Sequence, residues 1–318
     1  MYKHYRNPSE TQLIRDILEL YMKYGYLQSN FLYALLGDKV GQKYIVRKQY
    51  ALREKYGLIF RPREQFNCEN SHYAFFIHGL TERGKALAKE LGVNPPIVAN
   101  ITRRDPDESR GEFTETDVET RNFWHAMGII NTLASIEIGA KKHGIGFISE
   151  GEIRQRFQQK HNRDIDFDVP FEAIHNGERL TGKRKRDFLF GLTYEDGLSS
   201  FFLGENERDN PVDNPDLSRD GSSWLGKDIA YRDIIKKKAY QDHLGVPNLK
   251  ILVTTKSKNK SYHQMELSKK NGGASYFLFK EIPDQKSTGK SPIPFTEILT
   301  EPWQRAGYEP IALYSKPL

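Results

Sequence analysis

Three carboxylates bracket one pair of apolar runs. Asp187 opens FLFGL, and Glu205 and Glu207 close SSFFLGENE. Between the runs stands Glu195-Asp196-Gly197, and an Asp-Gly pair is a hairpin signal. An antiparallel hairpin sets the start of its first strand beside the end of its second, so Asp187 and Glu205 should be neighbours. Side chains alternate along a strand, which puts Glu205 and Glu207 on one face. Glu150, in GFISEGEIR, is a candidate fourth acid. Clustered carboxylates repel unless a cation offsets them, and Mg2+ prefers such oxygen ligands. An ion held there by Asp187 and Glu205 would activate water and stabilise charge on a phosphodiester. The alternative is a solvated acidic strand end neutralised by Arg184, Lys185, Arg186 and Arg208.

A lysine near the acids would complete such a site. Candidates lie in DIAYRDIIKKKAYQDHLG, expected as a helix capped by Asp228. At about 100° per residue, Lys238 falls within the stripe of Tyr231, Ile234 and Ile235, and Lys237 at its edge. Both remain candidates. LKILVTT and ASYFLFKEI read as further strands, separated by the helical KSYHQMELSKK, and residues 158–182 and 210–227 read as loops. The expected order from residue 119 is α, β, β, β, α, β, α, β, an α/β or α+β mixed-sheet domain. That order resembles the PD-(D/E)XK, restriction-endonuclease-like superfamily, in which a hairpin brings Asp and Glu over a divalent metal. Here Glu207 stands where the superfamily usually has Lys, and Arg186 precedes Asp187.

The 318 residues suit two domains. With 48 Lys and Arg against 42 Asp and Glu, the net charge is +6, compatible with a nucleic-acid partner. The single cysteine, Cys68, excludes an internal disulfide and paired-cysteine zinc sites and points to a reducing, cytoplasmic compartment. The first residues carry no signal-peptide core, and no apolar run of membrane-spanning length occurs. STGKS at 287–291 lacks the first glycine of a phosphate loop, and Pro292 would interrupt the helix that must follow.

Residues 1–92 form a separate expected unit. Leu13, Ile17, Leu20 and Tyr24 recur at helical spacing after Ser9, a candidate cap; SNFLYALLG is a second helix. In the third, QKYIVRKQYALREKYGLI, an apolar stripe of Tyr44, Ile45, Val46, Tyr50, Ala51 and Leu52 is expected opposite Lys43, Arg47, Lys48, Arg53 and Lys55. Strands at Leu58–Arg61 and Tyr73–His78 and a helix after Thr81 complete the order, which resembles a winged helix-turn-helix. The resemblance implies that Lys43, Arg47 and Lys48 meet duplex DNA from the third helix, with Arg61, Arg63 and His72 contacting it from the wing. A protein-contact or dimerisation face is the alternative, with a second copy of the chain as partner. Residues 93–118, Pro-rich and charged, read as a linker.

Together these features resemble the replication-relaxation proteins of plasmids and other mobile elements, which pair a winged helix with a nuclease-like domain. The matching residues are His125, Glu150, Asp187, Glu205, Glu207, Arg208, Lys237, Tyr240 and Trp303. The resemblance implies a DNA-binding role in replication or mobilisation of a plasmid, phage or other element, with Mg2+-dependent nicking or cleavage by an endonuclease site as one expectation. A regulator or replication initiator with a degenerate, non-catalytic nuclease fold is the other.

Overall fold

The computed structural model describes residues 11–37, 40–67, 76–98, 117–207, 223–282 and 294–314. The chain forms two compact units, residues 1–138 with 284–295, and 139–283 with 296–318. Their division falls inside one long helix, not at the expected 118/119 boundary.

The first unit runs α1 (Gln12–Tyr24), β1 (Tyr26–Gln28), α2 (Ser29–Leu36), α3 (Gln42–Glu54), β2 (Ile59–Phe60), β3 (Ile77–Leu80), α4 (Glu82–Glu90) and α5 (Asp117–Lys142) as far as Ile138. Its strands lie in the order β1-β3-β2, both pairings antiparallel. Ile14, Ile17, Leu18 and Tyr21 recur at three- and four-residue spacing, so α1 buries one stripe. Thr11 caps α1 by accepting the Ile14 N–H, and Thr81 caps α4 by accepting the Gly84 N–H. The expected cap Ser9 lies outside the described residues. Helix α5 joins this unit because Glu137 receives Lys23 Nζ at 2.6 Å and the Tyr24 hydroxyl at 2.5 Å.

Two expectations here are corrected. The strands are shifted from their expected bounds: β2 covers Ile59–Phe60, with a 3-10 helix at Arg63–Asn67 after it, and β3 covers Ile77–Leu80; positions 73–75 of the expected second strand lie outside the described residues. The α3 stripe is also misphased, since only Ile45, Gln49 and Leu52 are buried. Those three recur at i, i+4 and i+7, one narrow seam, which leaves Tyr44, Val46 and Tyr50 in solvent.

The second unit is mixed α and β. Beyond α5 come β4 (Gly146–Ile148), α6 (Glu150–His161), β5 (Val169–His175), β6 (Glu178–Arg184), β7 (Phe188–Thr193), β8 (Ser199–Glu207), α7 (Trp224–Lys236) and α8 (Ala239–Leu244). Next follow β9 (Lys250–Thr255), α9 (Lys258–Lys270), β10 (Ala274–Glu281), β11 (Trp303–Ala306) and β12 (Tyr308–Ile311). Seven strands form one sheet, β12-β11-β10-β9-β8-β7-β4. The β8/β9 and β9/β10 pairs are parallel and the other pairs antiparallel. The expected order is present as α5, β4, β7, β8, α7, β9, α9, β10.

Residues expected as loops are partly ordered elements. Within 158–182, α6 is finishing and β5 and β6 pair as a two-stranded ribbon. Its tip is Asn176-Gly177, both at positive φ (49° and 83°), as a tight hairpin turn requires. Helix α7 starts at Trp224, inside the expected loop 210–227. Its cap is Ser223, which accepts the Gly226 N–H; Asp228 is an interior helix residue.

Alternation divides β8 between two sides of the sheet. Leu189, Phe201, Leu203, Ile251 and Val253 join Trp224 and Tyr231 of α7 in one core. On the other parity Phe202 stacks on Phe190 at 5.1 Å between ring centroids, and Phe190 lies 6.2 Å from Phe188. Gly204 is needed for this packing, because a Cβ there would come within 1.9 Å of the Phe188 ring. Each fully buried Phe stabilises by about 1.5–3 kcal/mol. The β7–β8 register is thereby fixed where the acids emerge.

Candidate functional site

Two places merit attention, one in each unit. In the first, α3 carries four Lys or Arg against one Glu. Lys43 and Arg47 are exposed, and no acidic side chain among the described residues pairs with either. Lys48 lies over the Tyr44 ring at 5.2 Å, and Arg53 lies 5.9 Å from the Tyr50 ring while pairing with Glu54. Tyr44 is 48% exposed and Tyr50 62%. Aromatic and cationic side chains thus share one open face, not opposite faces of the helix.

A buried polar chain fastens that helix. Gln49 Nε2 donates to the Tyr21 hydroxyl at 2.7 Å and lies 3.4 Å from His78 Nδ1. Arg61 Nε donates to His78 Nε2 at 3.3 Å, and its guanidinium stacks 3.3 Å from the Phe76 ring centroid. Burial, then the charges of Arg61 and Arg53, push the His78 pKa down to about 3. Burial, then Arg53, pushes Arg61 down to about 10. His78 is therefore a neutral acceptor that orients Arg61 at the end of the α3 face. Arg63 is exposed on the following 3-10 helix, while His72 lies outside the described residues.

In the second unit the β7–β8 pairing, Phe188↔Gly204 onward, brings Asp187 to the Glu205 end of β8. Asp187 donates its N–H to Gly204 O at 3.0 Å, and its Oδ2 accepts the Asn206 N–H at 2.7 Å. Glu205 and Glu207 continue the parity of Phe201 and Leu203, towards α7. Glu205 is 2% exposed. Its Oε1 accepts from Arg184 Nη2 at 3.2 Å and from the Tyr231 hydroxyl; its Oε2 accepts from Lys227 Nζ at 2.7 Å. Lys227 Nζ also donates to Glu207 Oε1 at 2.5 Å, and Lys260 Nζ stands 3.8 Å from Glu207 Oε2. Glu150, at the N-terminus of α6, pairs with Arg186 at 2.9 Å, and the Arg186 guanidinium covers the Phe167 ring at 3.5 Å.

The electrostatics follow. Burial alone would lower the Lys227 pKa, but Glu205 and Glu207 outweigh it and hold it above the ordinary lysine value. Arg184 is raised likewise, Glu205 and Tyr231 overcoming its burial. Burial, reinforced by Glu205, raises the Tyr231 phenol far above its usual value. Burial dominates at Arg186, whose pKa is lowered although Glu150 faces it. Glu150, Glu205 and Glu207 each have a cation from the same chain beside them.

Neither expected lysine joins this cluster. The phase argument assumed one helix to Gly245, but α7 ends at Lys236 and Lys238 takes positive φ (56°) before α8. Lys238 is exposed, and Lys237 Nζ pairs with Asp233 at 2.8 Å and donates to Glu172 O. Lys227 holds the place instead. Its signal in the sequence was the Ser223 cap followed by Trp224, which would have started the helix one turn earlier and put Lys227, Tyr231 and Ile234 on one face. Of the other residues in the family resemblance, Tyr240 and Trp303 are buried and Arg208 lies outside the described residues.

As placed, the Glu205 cluster does not fit a divalent cation. Both oxygens of Glu205 already accept donors, and Lys227 bridges the two glutamates at hydrogen-bond distances.

No family model, no curated protein and no solved structure matches the chain.

Proposed function

We propose that the chain is a duplex-DNA-binding protein that grips DNA through α3. The observation that carries this reading is the open face of that helix: Lys43, Tyr44, Arg47 and Tyr50 exposed, with half-buried Lys48 over the Tyr44 ring. Its place in the fold supports it. The order α1-β1-α2-α3-β2-β3 with a β1-β3-β2 sheet resembles that of a winged helix-turn-helix, in which the third helix enters the major groove. Arg61, oriented by His78, and Arg63 follow α3 where a wing would contact the phosphate backbone. The second unit supports a nuclease-like scaffold, with three antiparallel-paired strands, β4, β7 and β8, followed by a helix and a parallel strand. On this reading it is a non-catalytic platform, because Glu150, Glu205 and Glu207 are paired with cations of the same chain, and the protein acts as a regulator or initiator in replication or mobilisation of a mobile element. That setting rests on the sequence resemblance to replication-relaxation proteins.

The test is fluorescence anisotropy with labelled duplex DNA over a range of salt. Wild-type protein should bind with a linear fall of log K against log salt, and Arg47→Ala/Lys48→Ala should bind more weakly with a shallower slope. Equal affinity and slope for both proteins would remove the α3 assignment.

A second reading, Mg2+-dependent DNA nicking at Asp187 and Glu205, is favoured by one observation: the Asp187 carboxylate sits against the Glu205–Asn206 peptide. It requires Lys227 to leave Glu205. Supercoiled plasmid converted to open circle by wild type with Mg2+ or Mn2+, and left intact by Asp187→Ala, would favour it over the platform.

A further inference from the structure

We infer that Lys227 is a built-in counter-cation that takes the place of a divalent metal between Glu205 and Glu207, and that the cluster gains affinity for such a metal only when this ammonium is removed. The inference deepens the platform reading of the second unit.

The geometry carries it. Glu205 and Glu207 are two residues apart on one strand, so both carboxylates project to the same side. One nitrogen, Lys227 Nζ, reaches an oxygen of each, at 2.7 and 2.5 Å. It arrives from α7, the helix covering that side, and its side chain is only 12% exposed. Arg184, Tyr231 and Lys260 fill further positions around the same two acids.

Charge balance points the same way. Among the described residues, the two carboxylates have three cations within 4 Å, Lys227, Arg184 and Lys260, a formal excess of one positive charge within this set. A divalent ion entering this set would raise the excess to three in a buried place, where like charges interact strongly. Replacing Lys227 by a neutral side chain brings that formal excess to zero. Two glutamates would then face Arg184 and a more distant Lys260, with oxygen donors bare where the ammonium had been. A hard cation is the ligand such donors take.

The experiment compares wild-type protein, Lys227→Arg and Lys227→Met, each as the full chain, by thermal unfolding and calorimetric titration with Mn2+. Wild type and Lys227→Arg should melt at the same temperature with and without Mn2+. Lys227→Met should melt lower in EDTA and recover by about 3–8 °C at saturating Mn2+. That recovery should vanish in Lys227→Met/Glu207→Gln. A folded Lys227→Met that ignores Mn2+ overturns the inference. So does stoichiometric Mn2+ binding by wild type with a dissociation constant below about 10⁻⁴ M. Should Lys227→Met not fold, the wild-type titration decides: no saturable binding supports the inference, and saturable binding at that strength sinks it. Duplex binding by α3 variants is measured separately, so failure here leaves the DNA-binding reading standing.

Discussion

The Asp187 carboxylate accepts the backbone N–H of Asn206 at 2.7 Å, one peptide beyond Glu205. A charged acceptor on a main-chain donor is worth more than a neutral hydrogen bond, about 1.5–3 kcal/mol. This contact closes the β7–β8 ribbon just past its last paired residues. Asp187→Ala should therefore lower stability by about that amount, and Asp187→Asn, which keeps an acceptor oxygen without the charge, by about half of it. Urea unfolding of the three proteins reads the difference. Equal midpoints would mean that Asp187 is not used to hold the ribbon and would return weight to a chemical role.

Glu205 should be the more costly residue to lose. Removing one partner of a buried ion pair leaves the other charge stranded, at about 3–5 kcal/mol. Glu205→Ala strands both Arg184 and Lys227, although Glu207 still receives Lys227. Lys237→Ala and Lys238→Ala, on exposed side chains, should stay within about 0.5 kcal/mol of wild type. A Glu205→Ala/Lys227→Met double variant should lose less than the sum of the singles, because each single leaves a charge that the other removes. Additive losses would show that the two residues do not act as a pair.

The contrast between these lysines shows what sequence could and could not reveal. The β7–β8 ribbon was legible because its two apolar runs flank Asp196-Gly197, a local turn signal, and its pairing then follows from counting. The helices around β9 and β10 were legible from spacing. Lys227 was not, because it stands in a polar stretch and its role depends on where α7 begins; one cap residue decides whether it faces the sheet. Lys238 failed for the converse reason, a break in the helix at a residue with no Gly or Pro to announce it. The ribbon of β5 and β6 was hidden by its composition: one face is exposed and charged, so alternation was weak, and only Asn176-Gly177 marked the turn. On α3, tyrosines counted as core by their chemistry lie in solvent, since burial there is set by a single seam.

His78 gives a pH prediction of definite sign. Its folded pKa is pushed down to about 3 by burial, with Arg61 and Arg53 adding to the effect. In the unfolded chain a histidine titrates near 6.5. Between these values the unfolded state binds a proton that the folded state does not, so stability falls as pH drops from about 6.5 towards 3. Above the unfolded value the contribution is fully present. His78→Gln, which cannot titrate, should be less stable at neutral pH but lose less on acidification. The measurement is the wild-type minus variant difference in unfolding free energy across that range. A difference constant with pH would place His78 in contact with water.

Tyr44 and Tyr50 separate an interaction face from a merely tolerant surface. Both rings are largely in solvent, and each lies beneath a cation of its own helix, Lys48 or Arg53. Truncating an exposed side chain changes stability by no more than about 0.5 kcal/mol. If α3 enters the major groove, the same truncations remove contacts to the duplex and loosen the placement of the neighbouring cations. Tyr44→Ala and Tyr50→Ala should then leave the melting temperature unchanged and weaken duplex binding. The salt slope should stay close to wild type, because no phosphate-neutralising charge is lost. Arg47→Ala/Lys48→Ala should show the complementary pattern, weaker binding with a slope reduced by about two. Unaltered affinity in both tyrosine variants would move the binding surface off α3, whereas a change in sedimentation with no change in affinity would identify the face as a contact between two copies of the chain.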